Sequence, residues 1–378
     1  MKILIVGGGV SGLSLAGLLR KYGLGSVTLI EKASDFRNAG FLIGLWGNGR
    51  RVLRELGIEQ RVIEQEGYEI SWNAFHDRRG KLLKSFPLDF KDFGPPAIIA
   101  RSTLQKGLVE TISGVEVRFG TTIERIQQIN SGRVQVDFGD RQTGCFDIVV
   151  GADGVRSLTR ELVFGENLLK YYGWGVWAFW LPDEFKHPDG PIELAGNGKM
   201  YAIYPLYNRS VVMFVARMAP GEVGQKYDRL ESLQLLFSEF NESARQIIAV
   251  APDARDVFFD DLGYVDCPTW VRGSVVLMGD AKHATSPISG VGASLAMEDA
   301  FVLADELRRH PDQDLQLTLL SYAKRREKRI QKFQIAGKRI DKWAMAAGFP
   351  AVLRDILLPL VPTSFFLSKI RTLLSQES

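Results

Sequence analysis

The sequence is poor in cysteine and histidine, which limits the redox and metal chemistry that it can carry. Its two cysteines, Cys145 and Cys267, form neither a Cys-x-x-Cys pair nor part of a metal-ligand set. The four histidines show no metal-ligand spacing either. We therefore expect free thiols in a reducing compartment, and no bound metal.

Net charge and long apolar runs are also scarce. The chain has 47 basic and 44 acidic residues, a net charge of +3, and so small an excess does not favour nucleic acid or a membrane surface as a partner. No run reaches the ~18 apolar residues of a transmembrane helix. The apolar start resembles a signal peptide only faintly, because the glycines at 7–9 interrupt it. These absences predict a cytoplasmic protein without a transmembrane segment.

The chain is nevertheless long enough for two or three domains, at 378 residues. Its first thirty residues have the pattern of a βαβ unit, which implies a parallel sheet with a right-handed crossover. Short apolar strands are predicted at residues 3–6 and 27–30, with a helix at residues 11–21 between them. Nothing in the sequence distinguishes a monomer from a homodimer.

A glycine motif joins the first strand to the first helix. In Gly7-x-Gly9-x-x-Gly12, the first glycine permits a tight turn, the second lets the backbone approach a pyrophosphate, and the third lets the helix pack closely on the strand. The helix start presents unpaired N–H groups to the phosphates. Glu31 ends the second strand and is placed to bind a ribose diol. We expect a dinucleotide here, which this motif alone does not identify as FAD or NAD.

Two later predicted strands each lead into a turn that contains a glycine and then an aspartate. One is followed by Asp153, which we expect to meet a ribose or ribityl hydroxyl, and by Arg156, a candidate for binding phosphate. The other ends at Asp280, a second candidate for the same contact. The turn at 290–292 then opens a helix whose N–H groups could stabilise negative charge on a reduced flavin. His283 could act as a general base, but a packed histidine that bonds to backbone is the favoured interpretation.

Together, in this order and at these distances, the three motifs resemble the group A FAD-dependent monooxygenases over about residues 1–307. These are the aromatic hydroxylases typified by para-hydroxybenzoate hydroxylase, and they include the tetracycline-inactivating flavoenzymes. Arg101 matches a family arginine that reaches the FAD from a helix start. The cofactor-binding residues that the resemblance implies are Gly7, Gly9, Val10, Ser11, Gly12, Glu31, Lys32, Arg101, Asp153, Gly154, Gly279, Asp280, Pro287, Gly290, Val291, Gly292 and Ala293.

The resemblance also implies an activity. FAD would be reduced by NAD(P)H, which binds transiently without a Rossmann domain of its own, in agreement with the single glycine motif. Reduced flavin would react with O2 to give a C4a-hydroperoxide, which hydroxylates a small organic substrate. The sequence departs from the family pattern at Lys282, where a small residue is usual, and at residues 289–294, which replace a Gly-Gln-Gly-x-Asn pattern.

The implied fold is α/β: a Rossmann-like FAD-binding domain with a parallel sheet, an antiparallel-sheet substrate domain, and a helical C-terminal segment. Residues 171–217, with short β-rich runs and hairpin turns, supply the antiparallel part. The expected divisions are residues 1–70, 97–168 and 266–312 for the FAD-binding domain, 71–96 and 169–265 for the substrate domain, and 313–378 for the C-terminal segment.

Aromatic residues of the second domain suggest a pocket for a flat, apolar, aromatic or polycyclic substrate. The pocket residues predicted are Trp174, Trp177, Trp180, Tyr204 and Pro287, although aromatic residues equally anchor ordinary cores. No catalytic acid or base is predicted. The apolar tail is expected to pack over the first domain, with a pocket, a partner or weak peripheral membrane contact as its other possible roles.

Several alternatives stay open at this point. A flavin-dependent halogenase of the same architecture would carry a Trp-x-Trp-x-Ile-Pro segment, which residues 174–182 match only loosely. An isoprenoid reductase or epoxidase of the same fold is a second alternative. A protein that binds FAD without turnover is a third, and a plain NAD-dependent dehydrogenase a fourth.

Overall fold

The computed structural model describes residues 1–36, 40–88, 94–129, 132–185 and 190–374. The strands in this part of the chain are β1 Lys2–Val6, β2 Ser26–Glu31, β3 Leu42–Leu45, β4 Tyr68–Glu69, β5 Trp72–Asp77, β6 Leu82–Pro87, β7 Ala97–Ala100, β8 Glu116–Phe119, β9 Ile123–Gln128, β10 Val134–Phe138, β11 Thr143–Phe146, β12 Ile148–Gly151, β13 Leu169–Trp180, β14 Ile192–Ala195, β15 Lys199–Pro205, β16 Ser210–Arg217, β17 Phe258–Val265, β18 Val271–Arg272 and β19 Val275–Leu277.

The helices of the same ranges are α1 Val10–Tyr22, α2 Gly47–Leu56, α3 Glu59–Glu66, α4 Arg101–Thr111, α5 Leu158–Phe164, α6 Glu222–Gln225, α7 Arg229–Phe237, α8 Glu242–Ala249, α9 Asp280–His283, α10 Gly292–Arg309, α11 Leu315–Ala344, α12 Phe349–Leu357 and α13 Thr363–Leu374. Two short 3₁₀ segments are Pro287–Ser289 and Leu358–Leu360.

A mainly parallel sheet forms the first layer, in the order β18-β19-β12-β1-β2-β8 within the described residues. β1 pairs in parallel with β2 and β12, with Ile5 opposite Leu29 and Val150. The central strands are apolar on both faces because both faces are covered, as is usual for parallel strands. One face packs on α1 and α10, and the other on β9–β11 and their neighbours. The predicted βαβ unit is confirmed.

The second layer is a sheet with the order β17-β13-β16-β15-β14-β5-β6 in the described chain. Its pairs are antiparallel except that β14 lies parallel to β5. This parallel pair joins residues 72–77 to residues 192–195. Two segments that are far apart in the sequence therefore lie side by side in the second sheet. The strands of each large sheet fall within the predicted domain segments, although the domain boundaries themselves stay a prediction.

The C-terminal helices pack against both layers. α11 packs on α10 of the first layer. Beyond it the chain turns onto the second layer, where Arg354 donates to the carbonyl oxygen of Ala195 at 3.2 Å and Phe366 stacks on Phe86 at 5.4 Å. The expectation that the tail from Phe349 onward packs over the first domain is therefore wrong, because these contacts belong to the second sheet.

Among the described residues, no single helix is long and apolar enough to cross a membrane. The segments Leu315–Ala344 and Phe349–Leu360 pass the length and composition test only as a pair, and they are bent by 103° at their junction.

Candidate active site

A cavity of about 1490 Å³ lies between the two layers. It exceeds the roughly 300–1,000 Å³ of a typical small-molecule site, so it has room for more than one ligand. At one end it is lined by the start of α1 and by the turn before α10. At the other end it is lined by the inner face of the second sheet and by the C-terminal helices.

The glycine motif has the geometry that a bound pyrophosphate requires. A Cβ at Gly9 would meet no heavy atom within 4 Å, so the space beside the start of α1 is open to a ligand. Gly12 is different, since a Cβ there would lie 2.0 Å from the Gly7 carbonyl oxygen. Gly7 itself has a φ of +107° and packs against Ala152. Gly9, Val10 and Ser11 line the cavity, and these residues fit the diphosphate of FAD.

Glu31 lies beside this turn. Its carboxylate accepts hydrogen bonds from the backbone N–H groups of Gly8 at 2.8 Å and Ala33 at 2.9 Å. These bonds fix the carboxylate next to the start of α1, where a ribose diol would extend from the diphosphate. The neighbouring Lys32 side chain is exposed. The ribose contact stays a prediction.

The turn before α10 forms the other half of the cofactor end. Arg101, Asp280, Gly290, Gly292 and Ala293 line the cavity, as does Pro287. Burial raises the pKa of the Asp280 carboxyl, although the charges of His283 and Arg101 act in the opposite direction. A Cβ at Gly292 would have only the Asp280 carboxylate near it, at 4.0 Å, so a flat ring system could approach this backbone closely. Val291 caps α10, and Gly279 packs on Ser11.

In the structure, the Asp153 carboxylate has a different role from the predicted contact with a ribose or ribityl hydroxyl. Its carboxylate accepts from the Ser157 hydroxyl at 2.5 Å and from the Thr159 backbone N–H at 2.9 Å and hydroxyl at 3.0 Å. It thereby holds the turn before α5, while the neighbouring Gly154 lines the cavity. Arg156 also lines the cavity, but its guanidinium forms an ion pair with Asp260 at 2.5 Å.

His283 is a structural residue. It is buried, and its Nε2 lies 2.6 Å from the Asp299 carboxylate, which also pairs with Arg326 at 2.7 Å and accepts from the Gly279 N–H at 2.8 Å. Burial would raise the pKa of Asp299, but His283 and Arg326 outweigh it and lower the pKa to about 2. This network fixes the glycine that precedes Asp280. His283 is packed as expected, but the expected bond to backbone is wrong, because its ring bonds to the Asp299 carboxylate instead.

The two departures from the family pattern have structural explanations. Lys282 is buried, donates from Nζ to the Cys267 carbonyl oxygen at 2.5 Å and lies 4.4 Å from the centre of the Trp270 ring. In the second departure, the Ser294 hydroxyl accepts from the Trp46 N–H at 3.0 Å, and the Gly290 carbonyl accepts from the Trp46 indole at 3.1 Å. These bonds tie the turn before α10 to the loop before α2.

The predicted aromatic pocket wall is wrong for all three tryptophans. Trp177 points to the opposite face of the sheet, where it is fully buried and donates to Ser232 at 3.1 Å. Trp174 and Trp180 share the face of the cavity but pack against its lining residues and do not line it themselves. Val176 and Ala178, between them on the same face, line the cavity instead. Tyr204 and Pro287 do line it, as predicted.

A polar cluster that the sequence did not reveal interrupts this apolar wall. Asn73, Glu193 and Tyr204 all line the cavity, and the Tyr204 hydroxyl donates to the Glu193 carboxylate at 3.4 Å. Burial raises the pKa of Glu193 to about 7, with the hydrogen bonds from Asn73 and Tyr204 acting in the opposite direction. The cluster depends on the parallel pairing of β5 and β14, which has no local sequence signal.

Fold and site together define a flavoprotein oxidoreductase. Residues 1–334 match the model of the FAD-binding domain family, and the chain belongs to that family. It is similar to the putative FAD-dependent monooxygenase YetM of Bacillus subtilis, at 31% identity over 88% of this chain and 90% of the relative. It is also similar to a 2-heptyl-3-hydroxy-4(1H)-quinolone synthase of Pseudomonas aeruginosa, at 28% identity over 96% and 95% of the two chains.

A solved structure of Klebsiella pneumoniae HpxO complexed with FAD and uric acid has the same fold. The TM-score is 0.88 at 24% identity, with 99% of this chain and 97% of that one covered. The resemblance to the group A monooxygenases is confirmed, and the protein is an FAD-dependent monooxygenase. The alternative of a plain NAD-dependent dehydrogenase is thereby removed.

Proposed function

We propose that the enzyme uses NAD(P)H and O2 to hydroxylate a flat, apolar, aromatic or polycyclic small molecule. Bound FAD supplies the redox and oxygen chemistry. The chain supplies binding, orientation and a cavity that limits the access of water. The residues expected to hold FAD are those of the glycine motif, Glu31, Arg101, Asp280 and the turn at 290–293.

The observation that carries this proposal is the continuity of the cavity. One continuous space connects the Gly9 and Gly292 backbone with the wall formed by Val176, Ala178 and Met213. A substrate on that wall would lie in the same space as the flavin ring. The apolar lining favours a substrate with little charge.

The cluster of Asn73, Glu193 and Tyr204 indicates how such a substrate would be oriented. With a pKa of about 7, the Glu193 carboxyl is present in both protonation states near neutral pH. Its ionised form accepts a hydrogen bond from a substrate N–H or O–H, and the apolar wall favours the rest of the molecule. We therefore expect a flat substrate with one polar edge. The quinolone and uric acid in the names of the two relatives are flat ring systems with N–H groups.

An isotope experiment tests the reaction. The FAD-loaded enzyme is incubated with NADPH or NADH, ¹⁸O2 and a panel of aromatic and polycyclic N–H or O–H compounds. The expected result is that at least one compound accelerates nicotinamide oxidation and gains one ¹⁸O atom. Nicotinamide oxidation that no compound accelerates, or a product without ¹⁸O, would count against the proposal. A product that forms only with halide present would instead indicate a halogenase.

A further inference from the structure

The helix α12 is amphipathic, but its apolar side faces solvent, which is the reverse of an ordinary surface helix. Its side toward the protein carries the small Ala351 and the buried Arg354. The Arg354 guanidinium donates to the carbonyl oxygens of Ala344 at 2.9 Å and Ala195 at 3.2 Å. The polar anchor therefore points inward, and the side toward solvent is the apolar one.

We call this outward side the C-terminal apolar patch. Its members follow the helical spacing of three and four residues and continue into the 3₁₀ turn that follows α12. Soluble monomers rarely expose large contiguous apolar surfaces, and those that do usually bind something there. Phe349 is 77% exposed and Leu360 73%. The patch consists of Phe349, Val352, Leu353, Ile356, Leu357 and Leu360.

The patch adjoins the mouth of the active-site cavity. Leu357 is exposed and also lines the cavity. The same is true of Ile335 and Ile340 on α11 and of Phe365 on α13. An apolar molecule held at the patch would therefore lie next to an apolar part of the cavity mouth.

The charge around the patch has one sign. Six basic side chains of residues 328–371 are exposed, whereas of the two acidic residues Asp341 is buried and Asp355 pairs with the buried Arg354. Lys338 and Lys342 are exposed on α11, and Arg339 is exposed and lines the cavity mouth. This local excess of positive charge is not apparent from the small net charge of the whole chain. It complements an anionic surface.

We propose that the C-terminal apolar patch docks on an anionic lipid bilayer, with the cavity mouth facing the membrane. Apolar side chains of a surface helix enter the boundary between headgroups and acyl chains, while neighbouring Lys and Arg side chains bind anionic headgroups. Docking would deliver an apolar substrate directly from the bilayer. That delivery rests on the proposed function, whereas the docking itself does not.

Vesicle sedimentation with the full-length, FAD-loaded protein tests the docking. We expect binding to vesicles of phosphatidylcholine with about 30% phosphatidylglycerol to be at least tenfold tighter than to pure phosphatidylcholine, and to fall in about 0.5 M salt. The double variant Ile356→Ser/Leu360→Ser should bind at least tenfold more weakly, with unchanged FAD content. Leu235→Ser is the matched control, because Leu235 is 56% exposed on α7 and should not affect binding.

Three results would overturn the proposal. The first is equal binding to anionic and neutral vesicles, and the second is a double variant that binds as the wild type does. The third is a dimer in light scattering that the double variant dissociates, with no vesicle binding, which would make the patch an interface between two copies. Vesicle binding without turnover of any aromatic compound would support the docking and count against the proposed reaction.

Discussion

Replacing Gly9 by serine should weaken FAD binding and leave the stability of the fold almost unchanged. Gly9 is the N-cap of α1, with φ −81° and ψ −173°, an extended conformation that any residue adopts without strain. A Cβ there meets no atom within 4 Å. Serine is also a preferred N-cap, since its hydroxyl accepts from the N–H of the second or third helical residue, here Ser11 or Gly12. Those N–H groups are the donors that a pyrophosphate would use.

The expected magnitudes follow from this competition. The free energy of unfolding of the FAD-free protein should change by less than about 0.5 kcal/mol, as for a substitution in open space. The Kd for FAD should rise at least tenfold, or about 1.4 kcal/mol, because the new side chain occupies the diphosphate space and its N–H donors. Gly12→Ala is the contrasting variant. Its Cβ would lie 2.0 Å from the Gly7 carbonyl oxygen, so it should cost about 3 kcal/mol or more of stability.

Two titrations measure these effects. Urea unfolding of the FAD-free proteins gives the stabilities, and the quenching of FAD fluorescence on binding gives the affinities. The reasoning would be refuted if Gly9→Ser bound FAD within twofold of the wild type, since the open space at Gly9 would then not be the diphosphate site. It would also be refuted if Gly12→Ala were as stable as the wild type.

Three further predictions concern the cavity and its support. Glu193→Gln should abolish an ionisation near pH 7 in the pH profile of substrate KM, in accordance with the raised pKa of Glu193; an unchanged profile would remove Glu193 from substrate binding. Asp299→Asn should lose about 3–5 kcal/mol at neutral pH, because it removes the buried carboxylate that pairs with both Arg326 and His283. Since the pKa of Asp299 is lowered from 3.8 to about 2 in the folded state, its stabilisation is present above about pH 4 and is lost as pH falls toward 2, so the difference from the wild type in urea unfolding should shrink there. Trp177→Ala should cost about 3–5 kcal/mol of stability and leave KM nearly unchanged, whereas Ala178→Leu, on the cavity face, should raise KM with little loss of stability.

Local patterns were sufficient to predict the strand, glycine turn and helix that open the chain. The helix predicted at residues 11–21 is Val10–Tyr22 in the structure, because a short apolar run, a glycine turn and an amphipathic helix are all encoded by adjacent residues. The same holds for the two faces of β13. Alternation along a strand is also a local pattern, and Trp177 lies on the face opposite Val176.

The substrate end could not be predicted in this way. Alternation along β13 defines two faces but not which of them is covered by α7 and α8 and which faces the cavity, so Trp177 was assigned to the wrong side. Asp153 shows a related failure, since its carboxylate is taken by Ser157 and Thr159, which follow it within six residues. Glu193 comes near Asn73 only through a parallel strand pair that joins distant segments.

The most direct test of the central claim is the visible spectrum of the FAD-loaded protein through one redox cycle. NADPH or NADH is added without oxygen, and air is then admitted, with and without an aromatic compound identified by the isotope experiment. The account predicts flavin bands that bleach under the nicotinamide, faster with the compound present, and return in air. A protein that shows no flavin bands after FAD is added, or bands that neither nicotinamide bleaches even with the compound present, would contradict it.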